Sequence, residues 1–349
     1  MQEHAYYAAY RPQTAAYILH MNPYFAYPPV VTSQGTSPVV VFGATGYAGQ
    51  VLVRLLDRHP ALHPVPVSAH TTTDLSPQDQ AALQGCAAVA LALPADASRA
   101  WTEAIAGRTN APVIDLSDAH RTRPNVPYGI FELWPDDLRG ARLVANPGCY
   151  PTASLLALVP LLRNGAIAPE PVAIVGKSGA SGAGKGVAEH LHFCELADNV
   201  YPYKVGAHRH VPEIERHLGT SVCFVTELLP IVRGLLVTAF VRPRGRPEDL
   251  LSVLCDAYAE HPYVHVLDAP DARLGLRHVV GCHDARIAVG PVARSGLVPV
   301  FAAIDNLMRG AASQALVSLN RVLGLAPHLG LAAPEPPSTG LPGMKGAWT

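Results

Sequence analysis

Residues 38–56 constrain the fold more than any other stretch of the chain. Pro38-Val-Val-Val-Phe is an apolar run that enters Gly43-Ala-Thr45-Gly46-Tyr47-Ala48-Gly49. Gln50-Val-Leu-Val-Arg-Leu-Leu follows, with apolar residues at 51, 52, 55 and 56. A short strand, a glycine turn and an amphipathic helix, in that order, form the βα entrance of a dinucleotide-binding domain. Gly43 permits the turn, Gly46 lets backbone amides approach a pyrophosphate, and Gly49 allows close helix packing. The spacing is G-x-x-G-x-x-G rather than G-x-G-x-x-G, so the flanking strand and helix carry much of the signal.

Further apolar runs continue the pattern. Val65-Pro-Val-Ser68-Ala-His70 reads as the second strand, Ala87 to Leu93 as a third ending at Pro94, and Pro112-Val-Ile-Asp115-Leu as a fourth. Alternation of such runs with helical segments indicates a parallel sheet covered on both faces. An NAD enzyme carries an acid at the end of the second strand to hold the ribose 2′-hydroxyl. Ser68 and His70 stand there instead, which removes repulsion against a 2′-phosphate and favours NADP. In sheets of this kind the functional loops lie beyond the carboxyl ends of the strands. Pro94-Ala95 and Asp115-Leu-Ser-Asp-Ala-His-Arg121 therefore face the cofactor crevice. Arg121 has two readings, a holder of an anionic substrate or a surface ion pair with Asp118.

Asn146-Pro-Gly148-Cys149-Tyr-Pro151-Thr precedes an apolar segment, Ala153 to Asn164, that reads as a helix closed by Gly165. Pro151 suits a first helical turn, where its missing N–H costs nothing. Cys149 then sits where free N–H groups and the helix dipole favour an anion, so a thiolate nucleophile is expected. A buried structural cysteine is the competing reading.

Composition narrows the functions available. At 349 residues two domains are the natural expectation. Lys+Arg 26 against Asp+Glu 27 leaves no basic excess for nucleic acid. No apolar run reaches the roughly 18 residues that span a bilayer. The six cysteines are scattered without a C-x-x-C pair, which speaks against a disulfide framework or zinc cluster and for a reducing cytoplasm. The sixteen histidines include no H-E-x-x-H, so no metal is expected. Residues 1–36, rich in tyrosine and without the basic start and apolar run of a signal peptide, read as an extension of unknown role.

The second half holds two more candidate sites. Pro171-Val-Ala-Ile-Val-Gly-Lys177-Ser178-Gly179-Ala-Ser-Gly182-Ala-Gly184-Lys185-Gly186 nearly spells a phosphate-binding P-loop, with a strand before it and a helix expected after it. Gly186 lacks the hydroxyl that would ligate magnesium. A P-loop kinase is therefore one alternative, and a loop lying over a cofactor is another. In Tyr203-Lys-Val-Gly-Ala-His208-Arg-His210-Val-Pro-Glu213, two imidazoles two residues apart supply acid/base chemistry near neutral pH. Ser221 to Phe224, Leu235 to Val241 and Arg286 to Val289 alternate as half-buried strands, and an antiparallel sheet is expected from them. Ala302 to Leu319 reads as a closing helix, followed by an irregular Pro- and Gly-containing tail.

Taken together, G-A-T-G-Y-A-G at 43–49, D-L-S-D at 115–118, N-P-G-C-Y-P-T-A at 146–153, K-S-G-A-S-G-A-G at 177–184, H-R-H-V-P-E-I-E at 208–215, P-I-V-R-G at 230–234 and I-D-N-L-M-R-G-A-A at 304–312 resemble the N-acetyl-gamma-glutamyl-phosphate reductases. The likeness runs through residues 37 to 330. It implies an α/β protein: a Rossmann-type parallel-sheet nucleotide domain plus an α+β catalytic and dimerisation domain with a mixed or antiparallel sheet. The expected boundaries are 37–149 for the NADP-binding domain, completed by 305–349, and 150–304 for the catalytic domain.

The resemblance further implies NADP(H) as cofactor, a small acyl phosphate as substrate and a homo-oligomer, dimer or tetramer. Cys149 would be the nucleophile and His208 the acid/base, with His210, Arg121 and Glu213 as further acid/base or substrate residues. Gly43, Thr45, Gly46, Tyr47, Ala48, Gly49, Ser68, Pro94, Ser178, Gly179 and Asn306 would line the cofactor. His120, Ile130-Phe131-Glu132 and Gly281-Cys282-His283 depart from the family pattern. A sibling reductase of aminoadipyl or aspartyl phosphate and a non-catalytic NADP sensor are the remaining rivals.

Overall fold

The computed structural model describes residues 35–68 and 73–334. Residues 1–34 and 335–349 lie outside the described residues, as do Ala69 to Thr72, so the expectations for the tyrosine-rich extension, the tail and His70 fall there.

The first half builds one layer of parallel strands. Strand β1 (Ser37–Phe42) runs into helix α1 (Tyr47–Leu56), whose Gly49, Val51, Leu52 and Leu56 face the core. Then follow β2 (Leu62–Val67), α2 (Pro77–Gly85), β3 (Ala88–Leu91), α3 (Ala95–Ala106), β4 (Val113–Asp115) and β5 (Leu143–Ala145). The sheet order is β2-β1-β3-β4-β5, with every pair parallel. Strand β2 begins three residues earlier than the sequence reading. It carries Pro64 and Pro66, and its place at the sheet edge is what tolerates them. The order reverses between β1 and β3, which opens a crevice beyond their carboxyl ends.

After β5 the chain enters α4 (Cys149–Arg163), in which every residue from Tyr150 to Leu161 is buried. A helix apolar all round must be enclosed, and α4 lies against the second sheet and the helices beside it. Gly165, at φ +76°, ends it as expected. The second sheet takes up β6 (Val172–Gly179), then, beyond the four-residue α5 (Phe193–Leu196), β7 (Tyr201–Tyr203). Helix α6 (Val211–Leu218) follows, then β8 (Val222–Leu229), β9 (Leu235–Val241), α7 (Asp249–Tyr258), β10 (Val264–Leu267), β11 (Ala285–Val289) and β12 (Val298–Ile304).

Its order is β10-β11-β12-β9-β6-β8-β7, and it is mixed rather than antiparallel, because β6–β8 and β10–β11 pair in parallel. The helix expected after Gly186 is absent: Ala180–Ala183 and Glu189–Leu191 are single 3₁₀ turns, and α5 is one turn long. The strand–loop–helix frame of a P-loop is therefore not formed.

The closing helix also starts later than its sequence suggests. Ala302 to Ile304 end β12, paired with β9 and β11. Asp305 then accepts the N–H groups of Leu307 and Met308 at 2.7 and 2.9 Å, so helical structure begins beyond it. A five-residue π turn, Met308–Ala312, leads into α8 (Ser313–Val322), which packs on α1 and β4 of the first sheet.

Candidate active site

The glycine turn is built as its sequence requires. Gly43 has φ +75°, and a Cβ there would collide with the Ala92 carbonyl oxygen at the end of β3. A Cβ on Gly49 would collide with the Gly43 carbonyl, so α1 seats directly on the turn. No side chain caps α1: Gly46 is its extended N-cap. The N–H groups of the first turn, beginning at Tyr47 and Ala48, are thus donors for an anion. Pro94 caps α3 beside the turn, and Ser68 stands exposed at the end of β2. A pyrophosphate-bearing dinucleotide fits this cradle.

The second sheet sends one loop to the same place. Ser178 and Gly179 end β6, where a Cβ on Gly179 would press on the Val232–Arg233 backbone at 2.8 Å. Buried Asn306 braces this loop: its Oδ1 accepts from Gly234 N at 2.8 Å and its Nδ2 donates to Ser181 Oγ at 2.9 Å. Lys185 Nζ, further along the loop, donates to the Thr45 carbonyl of the glycine turn at 3.1 Å.

Cys149 opens α4 at the carboxyl end of β5. The turn before it is held by two buried, oppositely charged side chains. Glu213 Oε1 accepts the Gly148 N–H at 2.8 Å and the Tyr128 hydroxyl at 2.6 Å. Arg121 Nε donates to the Asn146 carbonyl at 2.7 Å, its Nη2 to Leu116 O at 2.7 Å, and its Nη1 to Glu213 Oε2 at 3.3 Å. Arg121 is thus no surface partner of Asp118, which instead lies 3.8 Å from Arg209. The loop that carries Arg121 is itself fixed on Asp115, which accepts from Ser98, Ser117 and His120. Burial opposes the Asp115 charge, but those hydrogen bonds outweigh it and hold the carboxyl below its usual range.

Both imidazoles stand beside the residues that flank Cys149. A Cβ on Gly148 would lie 2.5 Å from His210 Nε2, so that ring borders the residue before Cys149. The His208 ring stands 4.8 Å from the His210 ring, and both meet the edge of Tyr150. His208 Nδ1 accepts the His210 N–H at 3.2 Å; a neutral His208 therefore carries its proton on Nε2. Burial, then the nearby Arg209 and Lys204, lower His208 to about 4. Burial and the charge of Arg121 push His210 well below the ordinary imidazole value.

Burial works against the thiolate expected from the helix start. Burial raises the Cys149 thiol to about 11, against the opposing pull of the Tyr150 N–H, Arg209 and Arg121. Burial thus favours a neutral thiol beside neutral imidazoles over an ion pair.

Against known proteins, residues 38–141 match the family described as semialdehyde dehydrogenase, NAD binding domain, and residues 149–306 the semialdehyde dehydrogenase, dimerisation domain. An N-acetyl-gamma-glutamyl-phosphate reductase of Desulforudis audaxviator is 38% identical over 341 residues, 85% of this chain and 98% of that protein. One from Salinispora arenicola is 37% identical, over 84% of this chain and 97% of its own. The chain belongs to the N-acetyl-gamma-glutamyl-phosphate reductase family.

Among solved structures, aspartate semialdehyde dehydrogenase II from Vibrio cholerae superposes with a TM-score of 0.67 at 17% identity, over 83% of this chain and 98% of that one. The Candida albicans aspartate semialdehyde dehydrogenase with NADP gives 0.60 at 16%, over 84% and 100%. These share the fold.

Within this reductase-family chain, the contacts around Cys149 were not legible in the sequence, even where a residue lay in a motif. Tyr128, a lone tyrosine in a loop, reaches Glu213. Asn146 Nδ2 donates to the Ala311 carbonyl at 3.1 Å, tying the nucleophile's turn to the π turn. The two departures at 130–132 and 281–283 meet in space, because Glu132 and His283 flank the fully buried Arg309.

Proposed function

We propose that this protein is a cytoplasmic NADPH-dependent reductase that converts N-acetyl-glutamyl 5-phosphate to N-acetyl-glutamate 5-semialdehyde through a Cys149 thioester. One observation carries the reading: Cys149 opens a helix at the carboxyl edge of the parallel sheet, with paired imidazoles beside the residues that flank it. The uncapped glycine turn lies beyond the carboxyl end of β1 in the same parallel sheet and is reached by Lys185 from the second sheet.

The cofactor would be held by the Gly43–Gly49 turn, Pro94 and the Ser178–Gly179 loop, and when bound it supplies the hydride. The absence of an acid at Ser68 supports NADP over NAD. The chain's own residues do the rest. As the Cys149 sulfur attacks the acyl carbonyl, its proton passes to His210, the imidazole that borders Gly148, rather than to His208, the acid/base expected from the sequence, and phosphate leaves with the electron pair of the broken C–O bond. A neutral imidazole is the form that can accept that proton, and its low basicity makes the imidazolium ready to return it. The substrate oxygen is held by the free N–H groups at the start of α4 and by the His208 Nε2–H. After reduction, the C–S bond breaks and His210 gives its proton back to the departing sulfur. Arg121 and Glu213 act by holding the Asn146–Gly148 turn. The match to a dimerisation domain supports a homo-oligomer built through the second sheet.

The test is NADP reduction with N-acetyl-glutamate semialdehyde and phosphate, run beside the aspartate and aminoadipate semialdehydes. Preference for either of the latter by tenfold or more in kcat/KM would replace the substrate assignment. Turnover retained by Cys149→Ser would remove the covalent step.

A further inference from the structure

The π turn Met308–Ala312 is the least regular piece of backbone near the nucleophile. Its wide turns are closed by Gly310 N to Asp305 O and Ala312 N to Leu307 O, both 2.9 Å. Such turns are rare and concentrate at functional sites. Here the turn brings Gly310 against Cys149: a Cβ on Gly310 would lie 2.6 Å from Cys149 Cβ and 3.0 Å from its Cα.

Behind the turn, Arg309 is fully buried. Its Nη1 lies 2.6 Å from His283 Nε2 and its Nη2 2.7 Å from Glu132 Oε1. A guanidinium only donates, so His283 accepts on Nε2 and gives its Nδ1–H to Ser313 Oγ, 2.7 Å away at the start of α8. In front, Asn146 Nδ2 bonds the Ala311 carbonyl, and Asp305 is paired with Arg233 at 3.0 Å. The turn is thus fixed at both ends and from behind, with its one residue lacking a side chain facing the nucleophile.

We propose that Gly310 and Arg309 are positioning residues for Cys149: the Gly310 backbone is a stop against the Cys149 Cα–Cβ bond, and Arg309 holds that stop through Glu132 and His283. With Cα and Cβ fixed, the sulfur retains only rotation about χ1, and the carbonyl it attacks is met from one origin. A methyl at position 310 forces a displacement on the order of 1 Å, enough to slow attack about 100-fold. The proposal rests on Cys149 being the nucleophile.

Gly310→Ala and Arg309→Lys are to be compared with the native enzyme and with Cys149→Ser. Readouts are kcat and KM for the semialdehyde, Kd for NADPH by fluorescence, the pH profile of kcat, and the rate and stoichiometry of iodoacetamide labelling. For Gly310→Ala we expect kcat per labelled Cys149 to fall 10- to 100-fold, with the NADPH Kd and pH profile unchanged and labelling within about threefold of native. A free small alkylating reagent does not need the aim that a bound carbonyl does. Arg309→Lys, which keeps the charge but loses the fork, should give a smaller fall of the same kind. A kcat per labelled thiol within twofold of native in folded Gly310→Ala overturns the proposal. Should that variant not fold, the same criterion applied to Arg309→Lys decides. Turnover by Cys149→Ser would instead sink the nucleophile assignment, which the Gly310 result leaves untouched.

Discussion

At Cys149 the residue identity and the charge state have different origins. The identity was legible because a helix start, a proline in the first turn and an apolar helix body are local features. The charge state was not, because it depends on burial that α4 and the distant π turn bring to Cys149. With the thiol raised to about 11, on the order of one molecule in ten thousand is thiolate at pH 7. Alkylation of the free enzyme should therefore keep accelerating with pH beyond 9, and a plateau near pH 7 would contradict the neutral resting site. Glu213 and Arg121 illustrate the same limit. Each was visible as a charged residue near a motif, but their pairing across 92 positions was not. Glu213→Gln leaves the Arg121 cation buried without its counter-charge, a change worth about 3–5 kcal/mol. Chemical denaturation should show that loss together with loss of turnover; a loss below 1 kcal/mol would mean that the pair does not brace the nucleophile's turn.

Elements whose signals are local could be read directly, and those decided by distant partners could not. The β1–turn–α1 unit followed from its own apolar periods and glycines. The direction of β6 against β8 did not, since both strands alternate alike and only the crossover through β7 and α6 makes them parallel. The stretch after Gly186 looked helical beside a near-P-loop, yet Val187 and Phe193 stay 95% and 83% exposed. With no face to bury, that segment forms only single turns. Asp305 stops β12 and starts the next turn with one carboxylate, a switch hidden inside a continuous apolar run. At the glycine turn, Gly43→Ala must adopt φ +75° and displace the Ala92 carbonyl. NADPH affinity should drop by more than tenfold in a protein that still folds; unchanged affinity would show that the cofactor does not use this turn.

Across the whole molecule, the sixteen histidines acquire a collective consequence that no single one announces. Six of them, His59, His208, His210, His217, His283 and His328, are held below the ordinary imidazole value, with burial the leading cause in each. They tie together parts distant in sequence: His59 Nε2 meets Asn320 Oδ1 at 3.0 Å, and His217 Nε2 meets the Arg121 carbonyl at 2.9 Å. A depressed imidazole is neutral when folded and binds a proton when unfolded below about pH 6.5. Below that pH the unfolded chain holds more protons than the folded one, so stability falls as the solution is acidified and is regained as pH rises to neutrality. His210 and His283, each 3% exposed, contribute to that fall together with the other four, and each proton taken up on unfolding corresponds to about 1.4 kcal/mol per pH unit. Asp115, held below its usual range, loses its contribution only when the pH falls past the carboxylate region, so the window between pH 6.5 and 5 belongs to the histidines. Against a total stability of about 5–15 kcal/mol, acid unfolding should set in one to two units below neutrality. Calorimetry at pH 6 in buffers of different ionisation enthalpy should record uptake of at least about one proton per chain on unfolding, with Tm falling steadily from pH 7 to 5.5. A flat Tm with no proton uptake would mean that these imidazoles stay solvated and that burial does not hold His208 and His210 neutral.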